Sequence, residues 1–375
     1  MKRSILLSIL IPLLLVVALN MDIIVEELTV REYRVITRCV IENTGFTEIG
    51  VNPSDIMNFY LIPNISGWQY VEEVLVYING KLADKNKYYI DEVDGNKLLK
   101  FHSPFRLDVG GKLNVTLVQK VVVYRLVFSG VKRVPRGLKG GLKEPMPTED
   151  YLMLKGFYRK GDFSKVVETA EKMEGSGFDV LLNILKFICS RIKYSNSSYG
   201  IAPPAETLER GYGSCGDISA LTVALLRLKE IPAFIYFCYV YEEGLNFYEK
   251  SPILTINYSN IGPHAFAMAY LESVGWVPID MVIHAGNRPI DCIEGAGVNI
   301  NDRIIVYAKA VKLDPNILLV IAPQSKTKVY VKYRAEVLPK KLDIIRVLYS
   351  LMLALLTGYI VYLAVEELEE YGEQT

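Results

Sequence analysis

The chain has no excess of either charge: 42 Lys and Arg stand against 42 Asp and Glu in 375 residues. Binding of phosphate backbones needs a concentrated positive face, and no basic block rich in aromatics stands out. Nucleic acid is therefore not an expected partner. Cysteine is sparse and scattered. Cys39, Cys189, Cys215, Cys238 and Cys292 include no C-x-x-C pair, so the spacing suggests neither a disulfide framework nor a zinc knuckle. No D-x-D-x-D-G loop is present, so calcium activation of that type is not expected, and no other metal or cofactor is implied. No internal repeat is evident. Only three histidines occur, His102, His264 and His284.

Long apolar runs are what the chain does have, and they lie at its ends, which explains a mean hydropathy of +0.22. Lys2 and Arg3 precede an apolar stretch from Ile5 to Leu19. Residues 1–21 read as a signal peptide or a signal anchor, and the poor cleavage signal at Ala18-Leu19-Asn20 favours the anchor. Near the other end, Val347–Val365 runs for 19 residues without a charge. A helix of that length rises about 28 Å, enough to cross a bilayer core, so 341–375 reads as a transmembrane helix with an acidic tail. The basic pair at the N-terminus places the main body outside the cytoplasm; Lys340, Lys341 and Arg346 argue the other way for the second helix. Four Asn-x-Ser/Thr triplets (Asn64, Asn114, Asn196 and Asn257) are compatible with an extracytoplasmic body at the cell membrane. An odd number of cysteines on that side leaves at least one thiol unpaired, and Cys215 is the candidate.

Between the ends the period of the pattern changes. From about residue 22 to 130, short runs rich in Val, Ile, Tyr and Phe are separated by Asn79-Gly80, Asp94-Gly95 and Gly110-Gly111, which predicts a β-sandwich. His102 falls here as a surface or turn residue. Prolines and glycines mark 131–150 as a linker. FSKVVETAEKM and DVLLNILKFICSRIKY then carry apolar residues at helical spacing, with Cys189 beside the apolar face as a core thiol. A third helix follows Cys215, with Ile218, Leu221, Leu225 and Leu228 in one stripe and Ile231-Pro232 at its end. AFIYFCYVY reads as a buried strand that makes Cys238 a packing residue. AFAMAYLE and GWVPIDMVI are two strands of a tight hairpin turning at 273–275. The expected units are a mixed α+β domain over 151–300 and a C-terminal β segment over 301–340.

Thiol catalysis needs a nucleophile, a base and a group that orients the base. Cys215 precedes a helix, where free N–H groups and the helix dipole stabilise a thiolate and where the same N–H groups can hold an oxyanion. His264 opens one strand of the hairpin and Asp280 ends the other, so both can face one end of it. Gly213 and Gly216 are expected to leave room for a substrate backbone. Asp217 reads as a first-turn helix residue whose charge opposes ionisation of the thiol. His284, just past Asp280, is the rival base.

RGYGSCGDISALTVALLRLKEIPA followed by HAFAMAYLESVGWVPID resembles the core of the transglutaminase-like superfamily, over roughly residues 178–285. The resemblance implies a papain-like α+β core with Cys215 as nucleophile, His264 as base and Asp280 as the orienting carboxylate. It is not complete. Phe266 stands where the family usually has Trp, Met268 where Glu is common, Phe234 where Arg is common, and Glu230 replaces the Gly before Ile-Pro.

The function implied is a membrane-anchored prokaryotic enzyme that cleaves or transfers amide bonds of a protein or peptide through a thioester on Cys215. The peptidase or deamidase type is favoured over cross-linking. The alternative is a catalytically silent binding or scaffold module at the cell surface. Oligomeric state is not encoded in any pattern found.

Overall fold

From Tyr33 to Asn43 every second side chain is buried, the pattern of a strand with one face on a core. This strand, β1 (Val30–Asn43), is followed by β2 (Ile49–Val51), a one-turn helix α1 (Pro53–Ile56) and β3 (Phe59–Tyr60). Next come β4 (Gln69–Ile78) and β5 (Lys81–Leu82), then β6 (Tyr88–Val93), β7 (Asn96–Phe101), β8 (Phe105–Leu107) and β9 (Lys112–Tyr124). Asn79-Gly80 and Asp94-Gly95 both turn with positive φ at each residue, as a two-residue hairpin loop requires. Four helices carry the next part of the chain: α2 (Ser164–Glu171), α3 (Phe178–Arg191), α4 (Pro204–Arg210) and α5 (Cys215–Leu228). Two-residue strands β10 (Lys193–Tyr194) and β11 (Tyr212–Gly213) sit among them, and β12 (Ala233–Lys250), β13 (Leu254–Leu271), β14 (Gly275–Ile279), β15 (Ile304–Ala310) and β16 (Thr327–Val337) follow.

The structure is a computed structural model that describes residues 30–125, 147–154, 163–196, 200–272, 274–282, 289–293, 301–312 and 321–339, together with four residues near the C-terminus. The expected N-terminal anchor, most of the 131–150 linker, His284 and nearly all of 341–375 lie outside the described residues. Met352, Leu356, Tyr359 and Leu363 are helical and exposed. Among the described residues no helix is long and apolar enough to cross a membrane.

One nine-stranded sheet organises the unit Arg31–Leu338, in the order β15-β12-β13-β16-β1-β9-β4-β5, with β14 also paired to β13. β13 is 18 residues long and divides its edge between two partners. Its first part runs parallel to β16 from Leu254 to Ser259, and its last part pairs antiparallel with β14 from Ala267 to Leu271. β16 pairs in turn with β1. Hydrogen bonding therefore crosses the segment boundaries expected from sequence: strands of 22–130, 301–340 and the helix-bearing region share one sheet. Small sheets β3-β7-β6 and β2-β8 lie apart from it.

Alternation on β12 and β13 sorts the core into two clusters on opposite faces. Ala233, Ile235, Ala265, Ala267 and Ala269 join the helices. Phe234, Tyr236, Phe266 and Met268 join the side chains of the N-terminal strands. There Trp68 lies 5.7 Å from the Phe266 ring and 6.4 Å from Tyr236. The mixed α+β class is as expected, with the large sheet continuous through it.

Candidate active site

Local structure fixes the start of α5 from both sides. α4 ends at Gly211 in the left-handed region (φ 71°), which turns the chain back into β11. β11 pairs parallel with β10, bringing Tyr194 beside Gly213. Ser214 then caps the helix. Its Oγ accepts from the Asp217 N–H at 3.3 Å, and Asp217 Oδ2 accepts from the Ser214 N–H at 2.9 Å, a reciprocal capping box. Asp217 Oδ1 also accepts from the Ala202 N–H at 2.6 Å, so this buried carboxylate ties the 200–203 loop to the helix start. Cys215 is thereby the first helical residue. The N–H groups of Cys215 and Gly216 have no acceptor within the helix, which makes them the donors available to an oxyanion.

Gly216 lines the cavity beside Cys215, and both glycines also serve a packing role. A Cβ on Gly213 would lie 2.7 Å from the Asp217 Cβ, and one on Gly216 would lie 2.9 Å from Ile201 Cγ1. Their bareness serves the close packing of the protein's own chain around the capping box.

His264 Nε2 lies 2.6 Å from Asp280 Oδ2, with both side chains buried. The register Ala269↔Val277 and Ala267↔Ile279, continued past the end of β14, places Asp280 diagonally from His264 on the same face rather than directly opposite. Asp280 is itself held. Its Oδ1 accepts from the Val282 N–H at 3.0 Å, and its N–H donates to the Cys292 carbonyl at 2.7 Å. Since Nε2 faces the carboxylate, Nδ1 is the nitrogen left for the thiol. Burial alone would lower the His264 pKa. The charge and hydrogen bond of Asp280, then the hydrogen bond and charge of Cys215, outweigh it and raise the group to about 10. The imidazole is held as the cation at neutral pH, next to the sulfur. Ser219 Oγ donates to the Ala265 carbonyl at 3.2 Å, a strut between α5 and β13 one residue from His264.

Cys215 and His264 line one cavity of about 360 Å³, together with Tyr194, Asn196, Tyr258 and Tyr307. A second cavity of about 360 Å³ is adjacent to the first, with Tyr60, Glu249, Tyr258, Pro263 and Tyr307 lining both. Tyr307 stacks on Tyr239 with ring centres 4.5 Å apart, and burial raises its hydroxyl well above the usual tyrosine range. Tyr194 is raised by burial and by the charge of Cys215. These tyrosines were not anticipated: Tyr194 ends a run with helical spacing, Tyr307 sits in an ordinary strand pattern, and only the fold brings them and Tyr258 to the cleft. Cys238, read as a packing residue, is buried directly across the strand pair from His264. His102 is exposed on the surface, its ring 4.8 Å from Tyr89. Among the described residues no group of three or more His, Cys, Asp or Glu is arranged to hold a metal ion.

The departures from the family pattern also find places. Phe234 and Met268 are direct cross-strand partners and both are buried. The Arg and Glu that the resemblance implies at those two positions would face each other across the strand pair. Glu230 has φ 59°, the left-handed region that a Gly enters without strain. Phe266 is buried against Trp68. Arg227, in the Leu-Leu-Arg of the motif, is buried and donates to the carbonyls of Ala233, Val311 and Met153, joining the end of α5 to β12 and the chain after β15. Burial lowers its pKa to about 10.

Residues 165–281 match the family model described as the transglutaminase-like superfamily. Among solved structures, a candidate cysteine protease from Cytophaga hutchinsonii aligns over 84% of this chain and 93% of its own, at 11% identity and TM-score 0.50. The periplasmic domain of TgpA from Pseudomonas aeruginosa, solved with ethylmercury, aligns over 70% and 93% at 14% identity and TM-score 0.30. None of the curated proteins matches the chain in sequence. The matched segment begins in α2 and ends one residue beyond Asp280, so it holds Cys215, His264 and Asp280 together, and over residues 165–281 the chain is similar to the core of the transglutaminase-like superfamily.

Proposed function

We propose that the protein is a thiol enzyme that opens amide bonds of protein or peptide substrates through a thioester on Cys215, with water as the usual acceptor. The observation that carries this reading is the 2.6 Å pair of His264 and Asp280, with the Cys215 thiol on the remaining face of the ring, at the wall of a cleft. The Cys215 thiolate attacks the carbonyl carbon, and the oxyanion is taken by N–H groups at the start of α5. The His264 imidazolium then gives its Nδ1 proton to the leaving amine as the C–N bond breaks. In the second half, Nδ1 takes a proton from water as the hydroxyl attacks the thioester, and the acid leaves with the thiolate restored. Asp280 holds Nε2–H throughout. Two adjacent cavities suit a stretch of polymer better than a small amide, and the fold shared with a candidate cysteine protease agrees with this.

The test is acylation. Full-length protein incubated with a peptide mixture is expected to carry an acyl adduct on Cys215, seen by mass spectrometry, that hydroxylamine removes. Cys215→Ala removes it entirely, and Asp280→Asn slows its formation by about 10²–10⁴-fold. If no adduct forms and alkylation of Cys215 is indifferent to His264→Ala, the reading fails, and a silent binding module takes its place. The His264 pair also predicts a pH dependence of stability. Because its pKa is raised above the ordinary value of 6.5, the stabilisation is complete below that pH and is lost as pH rises through about 10. Asp280→Asn should flatten that part of the stability profile.

Attachment to the cell membrane with an extracytoplasmic body belongs to the same proposal and rests on Ile5–Leu19 and Val347–Val365. Tags placed near Gly141 and after Thr375 are expected on opposite sides of the membrane in a protease-protection assay. Finding both on one side would discard a two-helix anchor with this orientation.

A further inference from the structure

α3 and the turn Pro289–Cys292 bring together two thiols that lie 103 positions apart in sequence. Cys189 Sγ and Cys292 Sγ are 3.7 Å from each other. Cys292 is buried, whereas Cys189 is partly exposed on α3. The same turn carries the support of the site: the Cys292 carbonyl accepts the Asp280 N–H at 2.7 Å, and Ile293 bridges Ile279. Nothing in the proposed reaction uses either sulfur. Spacing alone could not reveal this pair, since neither cysteine belongs to a recurring motif.

The chemistry of the two thiols is unequal. The hydrogen bond from Cys292 stabilises the Cys189 thiolate against the opposing effect of burial and brings that group down to about 7. The same bond, then burial, raises Cys292 far above the usual thiol range. Cys189, the more exposed of the two, is the sulfur that attacks first, and buried Cys292 the one that resolves. Reaching an S–S bond of roughly 2.05 Å requires the sulfurs to close by about 1.7 Å, within the reach of side-chain rotation and a small shift of the turn.

We propose that Cys189 and Cys292 are a redox modification site, closed to an intramolecular disulfide by exchange with a small disulfide of the glutathione type. Cys189 thiolate attacks one sulfur of the oxidant, forming a mixed disulfide and releasing one thiolate. Cys292 loses its proton to solvent, attacks the Cys189 sulfur and expels the second thiolate. The two protein thiols give up two electrons and two protons, and the oxidant leaves as two thiols. The bond fastens α3 to the turn whose carbonyl holds Asp280. Its effect on turnover rests on the reading of Cys215, His264 and Asp280 given above, whereas the bond itself does not.

The experiment uses full-length Cys215→Ala protein, so that the proposed nucleophile takes no part. The protein is treated with oxidised glutathione, blocked with N-ethylmaleimide and digested without reductant. A single cross-linked peptide pair containing Cys189 and Cys292 is expected, absent in Cys189→Ser. The oxidised form should melt about 5–15 °C above the reduced form, because the bond closes a long loop. Amide exchange in the peptide spanning Trp276 to Met281 should slow at least tenfold. Recovery of both residues as maleimide adducts, or of Cys189 only as a glutathione adduct, overturns the site. A cross-link that leaves exchange at Asp280 unchanged overturns its link to the carboxylate.

Discussion

The two faces of the β12–β13 pair are built from opposite materials. Towards the helices stand Ala233, Ala265, Ala267 and Ala269, packed in one core with Ala220, Val223 and Ala224 of α5. Towards the other side stand Phe234, Tyr236 and Phe266, in a chain of ring contacts with Trp68, Tyr151 and Trp276. Small residues set a distance, and aromatic residues set an anchorage. The thiol belongs to a helix and the imidazole to a strand, so their meeting depends on how closely helix backbone approaches sheet backbone, which alanines permit. The aromatic face carries His264 and Asp280 beside Phe266. It joins the core to the strands of the N-terminal segment.

Bulk added to the small face should therefore harm chemistry more than folding. Ala267→Leu overpacks a site that is 1% exposed, at a cost of about 1–3 kcal/mol, and pushes α5 away from β13. Alkylation of Cys215 by iodoacetamide is expected to lose its dependence on His264, with acyl-enzyme formation down at least 10²-fold, as about 1 Å of misplacement can bring. Phe101→Leu, in the core on the aromatic side but on β7 and away from His264 and Asp280, should cost a similar stability and leave alkylation within about threefold of the parent. Equal losses of reactivity in the two variants would refute the division of labour.

Charge restores a second contrast. Phe234→Arg places an unpaired guanidinium among aromatic rings opposite Met268, and an expected loss of about 3–5 kcal/mol follows from an uncompensated buried charge. Adding Met268→Glu supplies the cross-strand partner and should recover about 1–3 kcal/mol of it. Urea unfolding of the parent, both single variants and the double variant measures the coupling. Strict additivity would mean that the two positions are not coupled.

What could be read from sequence follows the same split. The helices were legible because each is local: apolar residues at three- and four-residue spacing place α3 at Phe178–Arg191 and start α5 at Cys215. His264 and Asp280 were legible because a tight hairpin fixes their neighbourhood within a few residues. Outer parts of β12 and β13 were not, since Glu242–Lys250 is largely exposed and shows no buried alternation. Nor was the pairing of β16 with β13 and β1, which joins residues far apart in the chain and leaves no local trace. The cleft tyrosines were lost for that reason: Tyr258 and Tyr307 look like any strand aromatics until the sheet order is known.

The smallest effect expected lies at the end of α5, where a local rule is broken. The Ile231 N–H donates to the Leu226 carbonyl and the Glu230 N–H to the Arg227 carbonyl, both at 3.0 Å, a paired closure that needs a left-handed residue at position 230. Glu230 supplies it at φ 59°. A residue with a Cβ is strained there by roughly 1–2 kcal/mol, whereas glycine is not but loses more chain entropy on folding. Glu230→Gly should therefore stabilise the protein by about 0.5–1 kcal/mol without altering alkylation of Cys215, because the change lies at the opposite end of the helix. Glu230→Ala keeps the Cβ and should gain nothing. Should alanine stabilise as much as glycine, the carboxylate rather than the backbone would be the source of the strain, and the departure from the family's Gly would have to be explained through charge at this exposed position.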